Sequence, residues 1–257
     1  VDGFDIDGVY WDKDRTGVKG IQYTDTQKRV AWKDPFRAKL QKILEDSVPG
    51  KTITVISWNH AEDRFVVSIG TPSSRGNYYI FDAHSNRLTL LASVNSALKS
   101  AVFGTVRTIK YAARAGREIP ALRTLPKTGP RAGLPLIMMP HGVLHVREAE
   151  RWDWWVQFLA DRGYAVMQPN YRGSTGHGNK FEKMGDGEWG LAMQDDLDDG
   201  VKWAVSQGIA DAKRVCIVGG SYGGYAAMRA ATSITDRSRC AVSYAGLSDM
   251  PKLKRPA

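Results

Sequence analysis

One hexapeptide in the 257-residue chain has the make-up of a catalytic turn: Gly219-Gly220-Ser221-Tyr222-Gly223-Gly224. It joins an apolar run, residues 214–218, to a segment with helical spacing, residues 222–232. This is the G-x-S-x-G pattern of a nucleophile elbow. A strand that turns straight into a helix strains the serine backbone and lifts its Oγ to the carboxyl edge of the sheet, where open α/β sheets place their ligands. Side chains at Gly219 and Gly223 would strike the neighbouring strand and helix. The helix start behind the serine offers free N–H groups and a positive dipole end to a developing oxyanion. The Tyr222 N–H is one expected donor. The second is expected in the loop after an earlier apolar run, residues 134–139, where His141-Gly142 follow. The N–H of Val143, or of Gly142, is the candidate, and His141 is expected to shape that loop. A phosphate-binding loop is excluded, because no Lys-Ser/Thr pair follows the glycines.

Other chemistry-bearing residues read as structural. Asp195, Asp196, Asp198 and Asp199 lack the partners of a metal site, so no metal is expected; Asp195 and Asp196 suit a helix start. Arg172 has two open partners, a substrate carboxylate or an internal acid. Trp152 and Trp155 fit a buried helix stripe better than a ligand stack. Cys216 and Cys240 lie in apolar runs and are expected to be buried, inert thiols. They fit a reducing compartment without requiring one; the cytoplasm is favoured, with localisation otherwise open. The net charge of +9 is spread along the chain. No basic stripe alternates with aromatic residues, so no nucleic-acid partner is expected. No run of roughly 18 apolar residues exists, so no membrane span is expected.

The elements around the turn change character near residue 98. Before it, residues 52–58, 64–70, 77–82 and 87–91 read as four short strands, the size of one propeller blade. A strand pair at 8–11 and 17–23 precedes them. Between pair and blade a helix is predicted, with Asp34 as N-cap, Pro35 at its first position, and Phe36, Leu40, Ile43 and Leu44 on its apolar face. After residue 98 a hairpin is predicted, residues 106–112 and 119–124 around 114–117. Strands at 134–139, 165–168, 214–218 and 239–244 then alternate with helices at 148–162, 195–207 and 222–232. Such alternation implies a parallel sheet with helices on both faces.

Three stretches carry a resemblance to a known family: Pro140-His141-Gly142, residues 158–166 (FLADRGYAV), and residues 168–176 (QPNYRGSTG). Gly185-Asp186-Gly187-Glu188-Trp189-Gly190, Met193-Gln194-Asp195-Asp196 and Gly219 to Tyr225 continue it. In this order they resemble the prolyl oligopeptidase family of serine peptidases, closest to its acylaminoacyl-peptidase and dipeptidyl-peptidase-like branch. The resemblance implies an α/β-hydrolase fold with an incomplete parallel sheet over residues 98–257, preceded by the end of a β-propeller over residues 1–97. It implies that Ser221 is the nucleophile of a Ser-Asp-His triad cleaving short peptides. Tyr222 and Val143 would supply the oxyanion hole, and no cofactor is needed. Residues 246–253 would wall the pocket before the scissile bond. Carboxylic-ester hydrolysis on the same fold, or binding by a decayed hydrolase, stay open as alternatives; so does oligomeric state.

Two positions depart from the family. Val143 stands where His-Gly-Gly-Pro would have a second glycine, which restricts its backbone. All five histidines, His60, His84, His141, His145 and His177, precede Ser221, and 36 residues (257 − 221) follow it. The triad Asp and His are therefore absent, with Asp249 read as structural. The expectation is a fragment of a longer peptidase with little or no catalysis of its own.

Overall fold

The computed structural model describes residues 4–98, 101, 103–143, 145–233 and 239–249. Strands β1 (Ile6–Trp11), β2 (Val18–Thr24) and β3 (Lys28–Trp32) form a small antiparallel sheet. Strand β3 was not expected. Its Lys28-Arg29 start hides the pattern, and none of its residues is fully buried. Helix α1 (Pro35–Ser47) begins as predicted, with the Arg37 amide donating to the Asp34 side chain at 3.0 Å. It lays Leu40 and Leu44 against Phe65, Val67 and Phe81 of a four-stranded meander. That meander runs β4 (Thr52–Trp58), β5 (Arg64–Thr71), β6 (Ser74–Asp82), β7 (Arg87–Ser93), each strand antiparallel to the next.

The second part is a layered sheet. Strands β8 (Thr105–Ala113) and β9 (Arg117–Leu125) form a hairpin. They are followed by β10 (Leu134–Met138), α2 (Trp154–Asp161), β11 (Ala165–Pro169), α3 (Asn179–Lys183) and α4 (Ala192–Ser206). Then come β12 (Ala210–Gly220), α5 (Tyr222–Ser233) and β13 (Cys240–Tyr244). The sheet order is β13-β12-β10-β11-β9-β8. Strands β11, β10, β12 and β13 are parallel, whereas β9 and β8 run antiparallel at one end. The sheet is therefore mixed, not purely parallel, because the short β8–β9 connection permits only an antiparallel pair.

Alternate residues serve opposite faces. Leu136 and Met138 of β10 join Val215 and Ile217 of β12 under α4 and α5. Ile137 and Val218 face the other way, onto Val156 of α2. This two-sided burial makes the parallel strands read as continuous apolar runs.

Two helix starts differ from expectation. Helix α2 begins after Asp153, whose carboxylate accepts the amides of Trp155 (2.9 Å) and Val156 (3.1 Å). Trp152 therefore lies outside the helix, edge-on to Phe103 at 5.8 Å, and Val156 and Ala160 carry the buried stripe. Helix α4 begins at Ala192, so Asp195 falls in its first turn and Asp196 further in. The cysteines also differ. The β12–β13 register sets Cys216 opposite Cys240 with Cα atoms 4.7 Å apart, and they form a disulfide, with Cys240 exposed. Two cysteines 24 residues apart reveal nothing of this until the strand order is known.

No hydrophobic cluster joins the two parts among the described residues. Their contacts include backbone and side-chain hydrogen bonds and the Arg75 guanidinium over the Trp152 ring at 5.4 Å. Arg147 donates to the Thr24 and Asp25 carbonyls at 3.0 and 2.9 Å, and the Glu150 amide to the Thr26 carbonyl at 2.7 Å. Among the described residues, no helix is long and apolar enough to cross a membrane.

Candidate active site

Ser221 occupies the turn between β12 and α5, exposed, with φ +55°. A non-glycine residue rarely adopts this left-handed conformation. Its neighbours over-determine it. The Ser221 amide donates to the Tyr244 carbonyl of β13 at 2.9 Å, and its carbonyl accepts from the Tyr225 amide at 3.0 Å. A side chain at Gly219 would collide with the Gly223 backbone, and one at Gly223 with the Pro140 carbonyl. The glycines thus let β12, α5 and the loop after β10 meet at one point.

That loop reaches the serine. A Cβ on Gly142 would come within 3.2 Å of Ser221 Cβ. Val143, next along, is 58% exposed and has φ +51°. For a β-branched residue this is a strained backbone, the state a glycine would adopt freely. His141 underpins the loop. Its ring stacks on Tyr171 at 4.4 Å, Nε2 lies 2.9 Å from Ser174 Oγ, and Nδ1 lies 3.0 Å from the Gly142 carbonyl. Burial pushes its pKa down, so the ring is neutral at neutral pH.

Behind the turn, Tyr222 is buried and packs edge-on against Trp189 at 4.9 Å and beside Tyr171 at 5.5 Å. This aromatic anchor fixes the first turn of α5, whose leading N–H groups have no partner inside the helix. None of the five histidines hydrogen-bonds Ser221. Besides His141, His145 Nδ1 pairs with Glu182 at 3.0 Å. His177 lies against Phe181, burial holding its pKa at about 4.

The residues with open roles resolve as structure. Arg172 forms a two-pronged pair with buried Asp196, at 2.8 and 2.6 Å, not a free carboxylate receptor. Arg114 takes Asp195 and Asp199. No group of metal-ligating side chains is found among the described residues. Of the two partners the sequence leaves open for Arg172, the structure gives the internal acid, and only the fold, with α4 beneath Arg172, identifies it as Asp196.

The pattern at residues 150–255 matches the model of the prolyl oligopeptidase family. Dipeptidyl aminopeptidase BIII of Pseudoxanthomonas mexicana is 35% identical over 88% of this chain. The chain belongs to the prolyl oligopeptidase family. Dipeptidyl peptidase family member 6 of Caenorhabditis elegans is 28% identical over 86% of the chain. The chain covers 34% and 32% of these two proteins, about a third of their length. A puromycin-hydrolyzing peptidase of Mycobacterium tuberculosis superposes with TM-score 0.71 at 24% identity, over 91% of this chain and 36% of that one. Pyrococcus horikoshii acylaminoacyl peptidase gives 0.64 at 21%, over 89% and 34%. In this family's terms the six-stranded layer is an α/β-hydrolase domain and the sheets before it a β-propeller region.

Proposed function

We propose that this chain carries the nucleophile of a serine peptidase that cleaves short peptides through an acyl-enzyme. The observation that carries the reading is Ser221 at φ +55° between β12 and α5, exposed and closed in by Gly219, Gly223 and the Gly142 loop. In this reading Ser221 Oγ attacks the scissile carbonyl and its proton passes to a base. The Tyr222 and Val143 amides hold the oxyanion, as donors placed ahead of the charge that develops. The base returns that proton to the leaving nitrogen, the C–N bond breaks, the amine departs and an acyl-serine ester remains. Among this chain's histidines none sits on Ser221, so acylation needs an activated ester and deacylation lacks the same base.

The test is to treat the chain with the p-nitrophenyl ester of an N-blocked dipeptide and map the adduct by mass spectrometry. One acyl group is expected to accumulate on Ser221 and to be missing from Ser221→Ala. An unmodified Ser221, or adducts on surface lysines alone in both proteins, would overturn the reading.

A further inference from the structure

A cavity far from Ser221 in sequence holds a cation whose bonding is incomplete. Arg37, in the first turn of α1, has a side chain only 2% exposed. Its guanidinium stacks 4.1 Å from the Trp58 ring centre. One edge is satisfied, with Nη2 donating to Glu62 Oε2 at 2.9 Å. Nη1 is buried and has no hydrogen-bond partner among the described residues. A buried charged N–H without an acceptor is costly, so native structures rarely leave one.

Arg37 borders a cavity of about 440 Å³, a volume that suits a small molecule. Tyr10, Trp11, Trp32 and Trp58 also line it, and Trp11 and Trp58 are 49% and 42% exposed. Lys13 and Lys19 add two further cations. Of the two carboxylates, Glu62 is shared between Arg37 and Lys19 (3.6 Å), and Asp12 is engaged by the Thr16 amide and hydroxyl at 2.8 and 3.2 Å. Asp34, outside the lining, also takes Lys19 at 3.7 Å, so Lys13 and Arg37 Nη1 are the cationic donors left without a carboxylate among the described residues, beside exposed aromatic faces. Glu62 beside the free nitrogen disfavours a dianion such as phosphate, which it would repel. A single carboxylate fits.

We propose that this cavity binds a small carboxylate bearing an aromatic or apolar group. Arg37 Nη1 and the Lys13 ammonium group take the carboxylate, and the indoles of Trp11, Trp32 and Trp58 take the apolar part. The inference rests on no assumption about Ser221.

The test follows intrinsic tryptophan fluorescence during titration with N-acetyl-L-phenylalanine, using its amide as the uncharged control. A saturable change is expected with the acid and none with the amide. Arg37→Met should weaken binding about tenfold, the scale of one charge-assisted hydrogen bond. Glu62→Gln should tighten binding, because it removes the competing charge and frees Nη2. Should Arg37→Met lose its native circular dichroism, Glu62→Gln decides alone, with unchanged or weaker binding overturning the proposal. Equal response to acid and amide, or no saturable response, overturns it as well.

Discussion

The two parts of the chain hold their strands in opposite ways. In the hydrolase layer, β11 is buried along its whole length, and helices cover both faces of the sheet. In the propeller region, β7 is exposed at six of its seven positions, and α1 packs on one face of its sheet. Gly223 is closed in so tightly that a methyl group would meet the Pro140 carbonyl, whereas Gly50, at φ +74°, has nothing within 4 Å. A strained serine can persist only where its surroundings fix it from every side. The one-sided region instead leaves indole faces and a guanidinium nitrogen unfilled, features suited to a ligand.

The largest expected difference lies between two particular ion pairs, one closed and one open to solvent. Asp196→Ala removes a fully buried carboxylate from its two-pronged pair with the partly buried Arg172 and should cost about 3 kcal/mol in urea unfolding. Deleting Asp46 from its exposed pair with Lys42 (3.1 Å, 77% and 66% exposed) should cost no more than about 0.5 kcal/mol. Equal losses would erase the contrast. Next come the glycines. Gly223→Ala should cost about 3 kcal/mol, through overpacking against backbone that cannot shift. Gly50→Ala should cost about 1 kcal/mol, from backbone conformation alone.

Val143→Gly should act in the other direction, stabilising by about 1 kcal/mol as the φ +51° strain is relieved. Its Ser221 chemistry should be no slower, since the backbone donor remains. Slower acylation would show that the valine side chain matters to the site. The smallest expected effect is a pH dependence. Burial raises the Asp198 pKa to about 6, well above the ordinary range of an aspartate. The folded state then holds the proton more tightly, and this group's contribution falls as pH rises from about 4 to about 6. Asp198→Asn should therefore be more stable than the parent above pH 6 and lose that advantage by pH 4. The gain is modest, because Asp198 is only partly buried.

How much of this was legible in the sequence follows the same division. Parallel strands buried on both faces read directly as apolar runs, and the Gly-x-Ser-x-Gly spacing placed Ser221 at the joint. Strand β3 escaped because an exposed edge of charged residues carries no strong period. Helix α2 was drawn too long because Trp152 fits its stripe by spacing, while the Asp153 cap decides where it begins. The Arg172–Asp196 pair and the Cys216–Cys240 bond depend on which elements become neighbours, and linear spacing does not encode that. The left-handed Val143 was half visible, as a side chain where the resemblance calls for glycine.

The central claim is that Ser221 is a preorganised nucleophile with no base of its own among this chain's histidines. The most direct test is the rate of fluorophosphonate labelling at Ser221, with and without added imidazole as an external base. Slow labelling that imidazole accelerates, and that Ser221→Ala abolishes, is the predicted result. Fast labelling without imidazole would show that a histidine within the chain, such as His145 or His177, reaches the serine. No labelling of Ser221 under either condition would show that the turn does not prepare a nucleophile at all.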